Sequence, residues 1–174
     1  MKTLNKERLV EVIKSRFPTI DYTIGYGSGF LKQKDHLFNS KSMLDLIFIV
    51  ENRYDWHSLN FEMNKDHYSG LGYYGGPSYI NTIQKHLFHV HYNPMISIDE
   101  FYVKYGIVSH VDFMKEMYSW ENFSLAGRLH KPIVTLDANN LLLKGSIERS
   151  IDMNRQFANK IISCLIATVM AGIT

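Results

Sequence analysis

Cysteine is almost missing from this 174-residue sequence, with Cys164 standing alone. One thiol excludes an intrachain disulfide and a four-thiolate zinc site. Flanked by Ile161, Ile162, Leu165 and Ile166, it is expected to be a buried small hydrophobe in a reducing compartment. Proline is scarce, at four residues, and neither an internal repeat nor a low-complexity run is visible, which excludes collagen-like and disordered chains. An excess of one charge sign is also lacking. The 19 Lys and Arg against 17 Asp and Glu leave +2, so no strong global field draws the protein to nucleic acid or an anionic membrane, and any anion it binds must be gripped locally. Long hydrophobic runs are missing as well. The longest, Ile161 to Thr174, is 14 residues interrupted by Ser163, Thr168 and Gly172, against the ~20 that span a bilayer. The N-terminus carries Glu7 and Glu11 and spaces Leu9, Val12, Ile13 and Phe17 helically, unlike a secretory or transit segment. What is abundant is aromatic: eleven Tyr and ten Phe.

With 45% hydrophobic residues, a chain of this length buries roughly 70% of its unfolded surface. An amphipathic first helix over Met1–Phe17 leads to a strand, Ile20–Tyr26, that runs into Gly27-Ser28-Gly29. Lys32–Lys41 reads as a loop or short helix. Met43–Val50 is a buried central strand with one carboxylate, Asp45, inside it. Tyr54–Asn64 is helical, Gly75-Gly76-Pro77 marks a turn before a helix led by Ile80, Ile83 and Leu87, and Phe101–Val108 reads as a third strand. Beyond His110 the pattern is mostly helical: a helix over Val111–Tyr118, an ambiguous stretch from Trp120 to Leu129, a short strand Ile133–Leu136, and a largely helical segment from Asn140 to Met170. The expected architecture is α+β, with a small central sheet in about residues 1–109 and a mainly helical unit in about 110–174.

The residues able to carry chemistry are few. Gly25-Tyr26-Gly27-Ser28-Gly29 lacks the third glycine of a dinucleotide fingerprint and the Gly-Lys-Ser/Thr ending of a P-loop. What remains is Gly27-Ser28 at a strand end, either a plain turn or a place where backbone N–H groups and a hydroxyl hold phosphate oxygens. Asp45 is costly to bury unpaired, so it is expected to sit at the strand's open end, to be salt-bridged, or to bind a metal.

A Gly-Ser turn followed on the next strand by an Asp resembles polymerase-β-type nucleotidyltransferases, which use Gly-Ser for phosphates and Asp-x-Asp for metals. Here the partner position is Ile47. Five motifs then follow in one order: Tyr26-Gly27-Ser28-Gly29 with Gln33; Met43-Leu44-Asp45-Leu46-Ile47-Phe48; Trp56-His57-Ser58-Leu59-Asn60 with His67-Tyr68-Ser69; Lys104–Val108; and Leu125–Pro132. Together they resemble the mitochondrial-type phosphatidate cytidylyltransferases, the CDP-diacylglycerol synthases of the translocator assembly and maintenance family. The resemblance implies a polymerase-β-like nucleotidyltransferase domain, a winged-helix-like second domain, and a chain that stops short of a further Leu-Ser-Tyr-Met-Gly-Asp stretch. It also implies an Mg²⁺-dependent reaction of CTP with phosphatidic acid, giving CDP-diacylglycerol and pyrophosphate in phospholipid and cardiolipin biosynthesis.

In that frame Asp45 is expected to hold Mg²⁺ and Lys104 to contact the triphosphate, the alternative for Lys104 being a local pair with Asp99 or Glu100. His57, Asn60, Asn64 and His67, spaced 3, 4 and 3, form either a solvated polar face or, with Tyr68, a surface that reads cytosine, ribose and phosphate. Arg128 and Lys131 are either exposed helix cations or a clamp on the lipid phosphate. His86, His89 and His91, the last two on one face of a strand, read as structural rather than as a zinc site. The expected location is peripheral, on the cytoplasmic face of a bacterial membrane or the matrix side of the mitochondrial inner membrane. Two other classes compete: a nucleotidyltransferase with a non-lipid acceptor, and a nucleotide-binding module without activity.

Overall fold

A computed structural model describes residues 4–31 and 43–171. The stretch Lys32–Lys41, with Gln33, lies outside the described residues, as do residues 172–174.

Helix α1 (Lys6–Arg16) starts at Asn5, whose side chain accepts from the Arg8 N–H at 3.0 Å, and buries Leu9, Val12 and Ile13 along one face. Strand β1 (Tyr22–Tyr26) precedes the glycine turn. Strand β2 (Leu44–Val50) is followed by α2 (Arg53–Met63), a 3₁₀ turn (Lys65–His67) and α3 (Gly70–His86). Inside α3, Gly76 leaves helical geometry (φ 65°) just before Pro77, so the expected turn is a kink within one element. Strands β3 (His91–Ile98) and β4 (Phe101–Ser109) form a hairpin. Then come α4 (His110–Ser119), the short α5 (Ala126–Leu129), β5 (Ile133–Ala138) and the long α6 (Leu141–Ala171).

The five strands make one mixed sheet in the order β3-β4-β2-β1-β5. The β2/β4 pair is parallel and the other pairs are antiparallel. Because β2 is buried on both faces, its near-continuous apolar run splits by alternation. Leu44, Leu46, Phe48 and Val50 face α1, Phe17 and Trp56. Ile47 and Ile49 face a second cluster with Phe113, Met117, Ile147 and Ile151. Each such side chain, fully buried, contributes about 1.5–3 kcal/mol. Asp45 lies one residue inside the start of β2, on the side of Ile47.

Three features add to or depart from the sequence reading. Beyond the His89 and His91 positions, a separate strand over His91–Ile98 is not among the elements that the sequence marks. Pro94, the positive φ of Met95 (57°) and a register shift between Asn93 and Ile96 disturb its alternation, which an edge strand tolerates. After His110 the chain returns to the sheet, where β5 pairs with β1, and residues of α4 and α6 join the cluster on the Ile47 face. Cys164 is exposed, not buried, because residues 162–168 of α6 are exposed all round.

Beneath the α2 side of the sheet lies a closed polar network. His57 Nε2 meets Gln84 Oε1 at 2.9 Å, and its Nδ1 meets the Tyr68 hydroxyl at 2.9 Å. Gln84 Oε1 only accepts, so His57 carries its proton on Nε2 and Tyr68 donates to Nδ1. The Asn60 amide donates to Tyr68 and Tyr105, and the Tyr105 hydroxyl also meets His67 Nδ1 and accepts from Asn93. Gln84 in turn donates to the Ile107 carbonyl at 2.9 Å. The network ties α2 and α3 to β3 and β4, and its members are buried.

Burial holds the His57 imidazole neutral, with its pKa lowered to about 3, and the nearby His91 ring adds to the effect. Burial also lowers His67 and His91. An unfolded His takes up a proton near pH 6.5, so the unfolded chain binds more protons than the folded one below that pH. The stabilisation is therefore complete above pH 6.5 and is lost as pH falls toward 3. Urea titrations should find the protein on the order of 1 kcal/mol less stable at pH 5.5 than at pH 7.5 from His57 alone, with His67 and His91 adding in the same direction. His57→Gln should be less stable at pH 7.5 and show a shallower acid slope; an unchanged slope would remove His57 as its source.

Candidate active site

The second face of the sheet carries an open polar row. In register, Tyr26 of β1 lies opposite Asp45 of β2, and Asp45 lies beside Lys104 of β4. Immediately after Tyr26 the chain turns at Gly27, whose φ of 77° suits glycine. The turn closes by N–H bonds from Phe30 and Leu31 to the Gly27 carbonyl, at 3.2 Å each. A Cβ on Gly27 would stand 3.0 Å from Asp45 Oδ2, so the backbone approaches the carboxylate as closely as a residue can. Ser28 projects into solvent at the same rim.

Tyr92 of β3 completes the row. It faces Gly106 in register, and a Cβ on Gly106 would collide with the Tyr92 ring at 2.6 Å, so the ring lies across the glycine. Over that ring sit two cations, Lys104 Nζ at 5.0 Å and Arg128 Cζ at 5.1 Å from the centroid. The Arg128 guanidinium is further tied to the Ser124 carbonyl, one turn before it.

Asp45 is half-buried, and burial raises its pKa above the ordinary carboxylate value, opposed by Lys104 and then Arg128. Among the described residues neither Asp45 nor Lys104 makes a salt bridge. Asp99 and Glu100, the alternative partners of Lys104, turn instead to α1: Asp99 meets Arg16 at 2.7 Å and Arg8 at 3.4 Å, and Glu100 meets Arg8 at 3.5 Å. The site thus presents one carboxylate and two cations that the protein does not consume internally.

Gly27, Ser28, Asp45, Lys104 and Arg128 are brought together. Lys131 is exposed on the same rim, two residues before Ile133, which pairs with Tyr26. His57, Asn60, His67 and Tyr68 form neither a solvated face nor an open binding surface, since they are the buried network on the other side of β4. Asn64 caps that network, donating to Asn60 Oδ1 and to the Arg16 carbonyl, both at 2.8 Å. Helical spacing groups these residues correctly but does not say whether the shared face points inward. His89 pairs with the buried Glu116 at 3.2 Å and His91 with Asn93 at 3.1 Å. Among the described residues no cluster of three or more His, Cys, Asp or Glu side chains is placed to hold a metal by itself. Ile47, in the expected second carboxylate position, is fully buried in the apolar cluster. Tyr92 was not distinguished by the sequence, because its place beside Lys104 follows only from the β3/β4 register.

Comparison with known proteins gives one answer. A family model described as phosphatidate cytidylyltransferase, mitochondrial, matches residues 9–168. Curated proteins of that name are similar to this chain. That of Schizosaccharomyces pombe is 34% identical over 140 residues, covering 80% of this chain and 35% of the relative. That of Saccharomyces cerevisiae is 37% identical over 136 residues, covering 78% and 35%. The Homo sapiens protein is 34% identical over 143 residues, covering 80% and 31%. The chain spans about a third of the length of these relatives. With a single family model running from α1 into the last helix, and the motif residues of β1, β2, β4 and α5 converging on one rim of the sheet, this chain belongs to the mitochondrial phosphatidate cytidylyltransferase family.

Proposed function

We propose that the rim around Asp45 transfers a cytidylyl group from CTP to phosphatidic acid, releasing pyrophosphate and leaving CDP-diacylglycerol. The observation that carries this reading is the row Tyr26, Asp45 and Lys104 beside the Gly27-Ser28 turn, with Arg128 brought over it. A Gly-Ser turn after the first strand and an Asp on its neighbour support a polymerase-β-like nucleotidyltransferase core in about residues 1–109. The winged-helix-like reading of the following segment has α4 to α6 in its favour, while β5 is taken up by the main sheet.

In the proposed reaction a phosphate oxygen of the lipid attacks the α-phosphorus of CTP, and the bond to the β-phosphate oxygen breaks. A phosphate monoester is already anionic near neutral pH, so no base has to activate it and the chemistry reduces to positioning and charge neutralisation. Gly27 and Ser28 offer N–H and hydroxyl groups to phosphate oxygens. Lys104 faces the triphosphate. The forked donors of Arg128, with Lys131 on the same rim, suit the lipid phosphate. The donor set fits Mg²⁺ as a shared site: Mg²⁺ is commonly held by one or two carboxylates plus substrate phosphates, and Asp45 is a half-buried carboxylate without an ion-pair partner among the described residues. When bound there, the ion would neutralise triphosphate charge.

The lipid acceptor makes a membrane surface part of the proposal, on the cytoplasmic face of a bacterial membrane or the matrix side of a mitochondrial one. No described helix is long and apolar enough to cross a bilayer, while Ile162, Leu165 and Ile166 of α6 offer exposed apolar surface.

Titration with each of the four nucleoside triphosphates plus Mg²⁺ should show preference for CTP, and labelled CTP with phosphatidate vesicles should yield labelled lipid. Preference for ATP would favour a different acceptor. Asp45→Asn should lower transfer at least ~100-fold while leaving thermal stability unchanged or raised, because burial disfavours the native carboxylate; full transfer by this variant would remove Asp45 from the reaction. Lys104→Met should weaken CTP binding about 10- to 100-fold. It should also move the acid limb of the pH–rate profile upward, since of the two cations that favour ionised Asp45, Lys104 acts more strongly. Gly27→Ala should cost about 1–3 kcal/mol of stability from the positive φ and lower transfer as its methyl meets Asp45.

A further inference from the structure

Two phenols at the site face only each other. Among the described residues, the buried hydroxyls of Tyr26 and Tyr92 approach one another without reaching good hydrogen-bond geometry and have no other partner, and even a bond between them would leave one O–H free to donate. Leaving such a group unsatisfied costs about 1–3 kcal/mol. Tyr26 is 8% exposed, so bulk water scarcely reaches it. Elsewhere the buried tyrosines are fully engaged: Tyr68 and Tyr105 each join several partners in the α2 network, and Tyr22 meets Thr135 at 2.8 Å. A few other buried polar atoms are also unpartnered, Trp56 Nε1 and His110 Nε2 among them. The two phenols differ in converging on one place. Tyr26 lies directly opposite Asp45 in register, and the Tyr92 ring underlies Lys104 and Arg128. The hydroxyls are near enough to influence each other, and both feel the Asp45 and Arg128 charges.

We propose that Tyr26 and Tyr92 are ligand-binding residues whose hydroxyls donate to an anionic phosphoryl oxygen held between the Gly27-Ser28 turn, Lys104 and Arg128. The inference rests on the reading of this rim as a phosphate site and adds to it two neutral donors and the reason they are buried without partners. Burial pushes both phenols above their ordinary pKa, so each keeps its proton at neutral pH and is a donor toward an anion. Asp45 cannot be the intended partner, since neither phenol bonds to it although both are close. In a site of one carboxylate and two cations, two uncharged donors bind a phosphoryl oxygen without adding positive charge that would compete with a metal for Asp45.

The test uses Tyr26→Phe, Tyr92→Phe and the double variant of the full chain. Phenylalanine keeps the ring under Lys104 and Arg128 and removes only the hydroxyl. Thermal unfolding is followed without ligand, with CTP and Mg²⁺, and with phosphatidic acid in mixed micelles, and the transfer rate is measured in parallel. The expected result is a melting temperature without ligand that is unchanged or higher, a smaller ligand-induced rise, and transfer reduced about tenfold per hydroxyl, the effect of one hydrogen bond to a charged group. Loss of the rise with CTP assigns the oxygen to the nucleotide, and loss with phosphatidic acid assigns it to the lipid. Variants that respond to both ligands and transfer like the parent would overturn the proposal, the hydroxyls then being satisfied by water. Variants destabilised without ligand would overturn it too, by making the hydroxyls structural. If the parent chain itself gains no stability from either ligand, the phosphate-site reading falls and this inference falls with it.

Discussion

The fold is organised around a carboxylate held where a carboxylate is costly. Asp45 lies one residue inside the start of a strand that is otherwise apolar on both faces, and burial works against its charge. The opposing field comes from two elements far apart in sequence, Lys104 on the parallel neighbour β4 and Arg128 on α5. Neither closes to a salt bridge, so the charge is moderated without being neutralised. That balance depends on nearly everything around it. The β2/β4 register sets Lys104 beside Asp45. Gly27, at a positive φ, brings the backbone close to the carboxylate, where a Cβ would stand 3.0 Å from Oδ2. The pairing of β5 with β1 places α5 and its arginine over the same rim.

The two faces of the sheet treat polar groups in opposite ways, and the contrast separates structure from function. On the α2 side His57, Asn60, His67, Tyr68, Gln84, Asn93 and Tyr105 are buried and matched donor to acceptor, as a low-dielectric interior demands. Such a network fixes how α2 and α3 sit on β3 and β4, and it has nothing left to offer a ligand. On the α5 side Asp45, Lys104, Tyr26 and Tyr92 are neighbours in the sheet but make no such matched bonds. Unpartnered polar atoms occur singly elsewhere, as at Trp56 Nε1 and His110 Nε2, but at this rim two phenols come together beside a carboxylate and two cations.

This contrast also marks the limit of the sequence. The apolar run of β2 with Asp45 inside it, the glycine turn after β1 and the amphipathic α1 are local patterns, and each appears in the structure close to where its pattern places it. The 3, 4, 3 spacing of His57, Asn60, Asn64 and His67 correctly brings them together. It is silent on whether their common face meets solvent or core, because polar residues that satisfy one another read like a hydrated surface. Tyr92 depends on a register between two strands, and β3 itself is blurred by Pro94 and its bulge. Cys164 fails in the opposite sense: apolar neighbours in sequence do not bury a residue when the helix carrying it extends beyond its packing partners.

The position two residues after Asp45 connects the packing to the chemistry. Ile47 is fully buried against Ile24, Phe113 and the α6 residues Ile147 and Ile151, so it belongs to the cluster that holds the helical layer to the sheet. A carboxylate there would be an unpaired charge in the interior of that cluster, at a cost of several kcal/mol. A reaction whose nucleophile had to be deprotonated would favour bearing that cost, because a second acid would hold a second ion or act as base. A nucleophile that arrives as a phosphate anion removes the need. The site then requires more positive charge and more hydrogen-bond donors, which are available from residues that leave Ile47 in place: Lys104 one strand away, Arg128 from the short helix above, and the Tyr92 ring that carries both. In the proposed reaction, the apolar residue and the cation-rich rim follow from one arrangement, which keeps the β2 core intact and leaves phosphate to be neutralised from its edges.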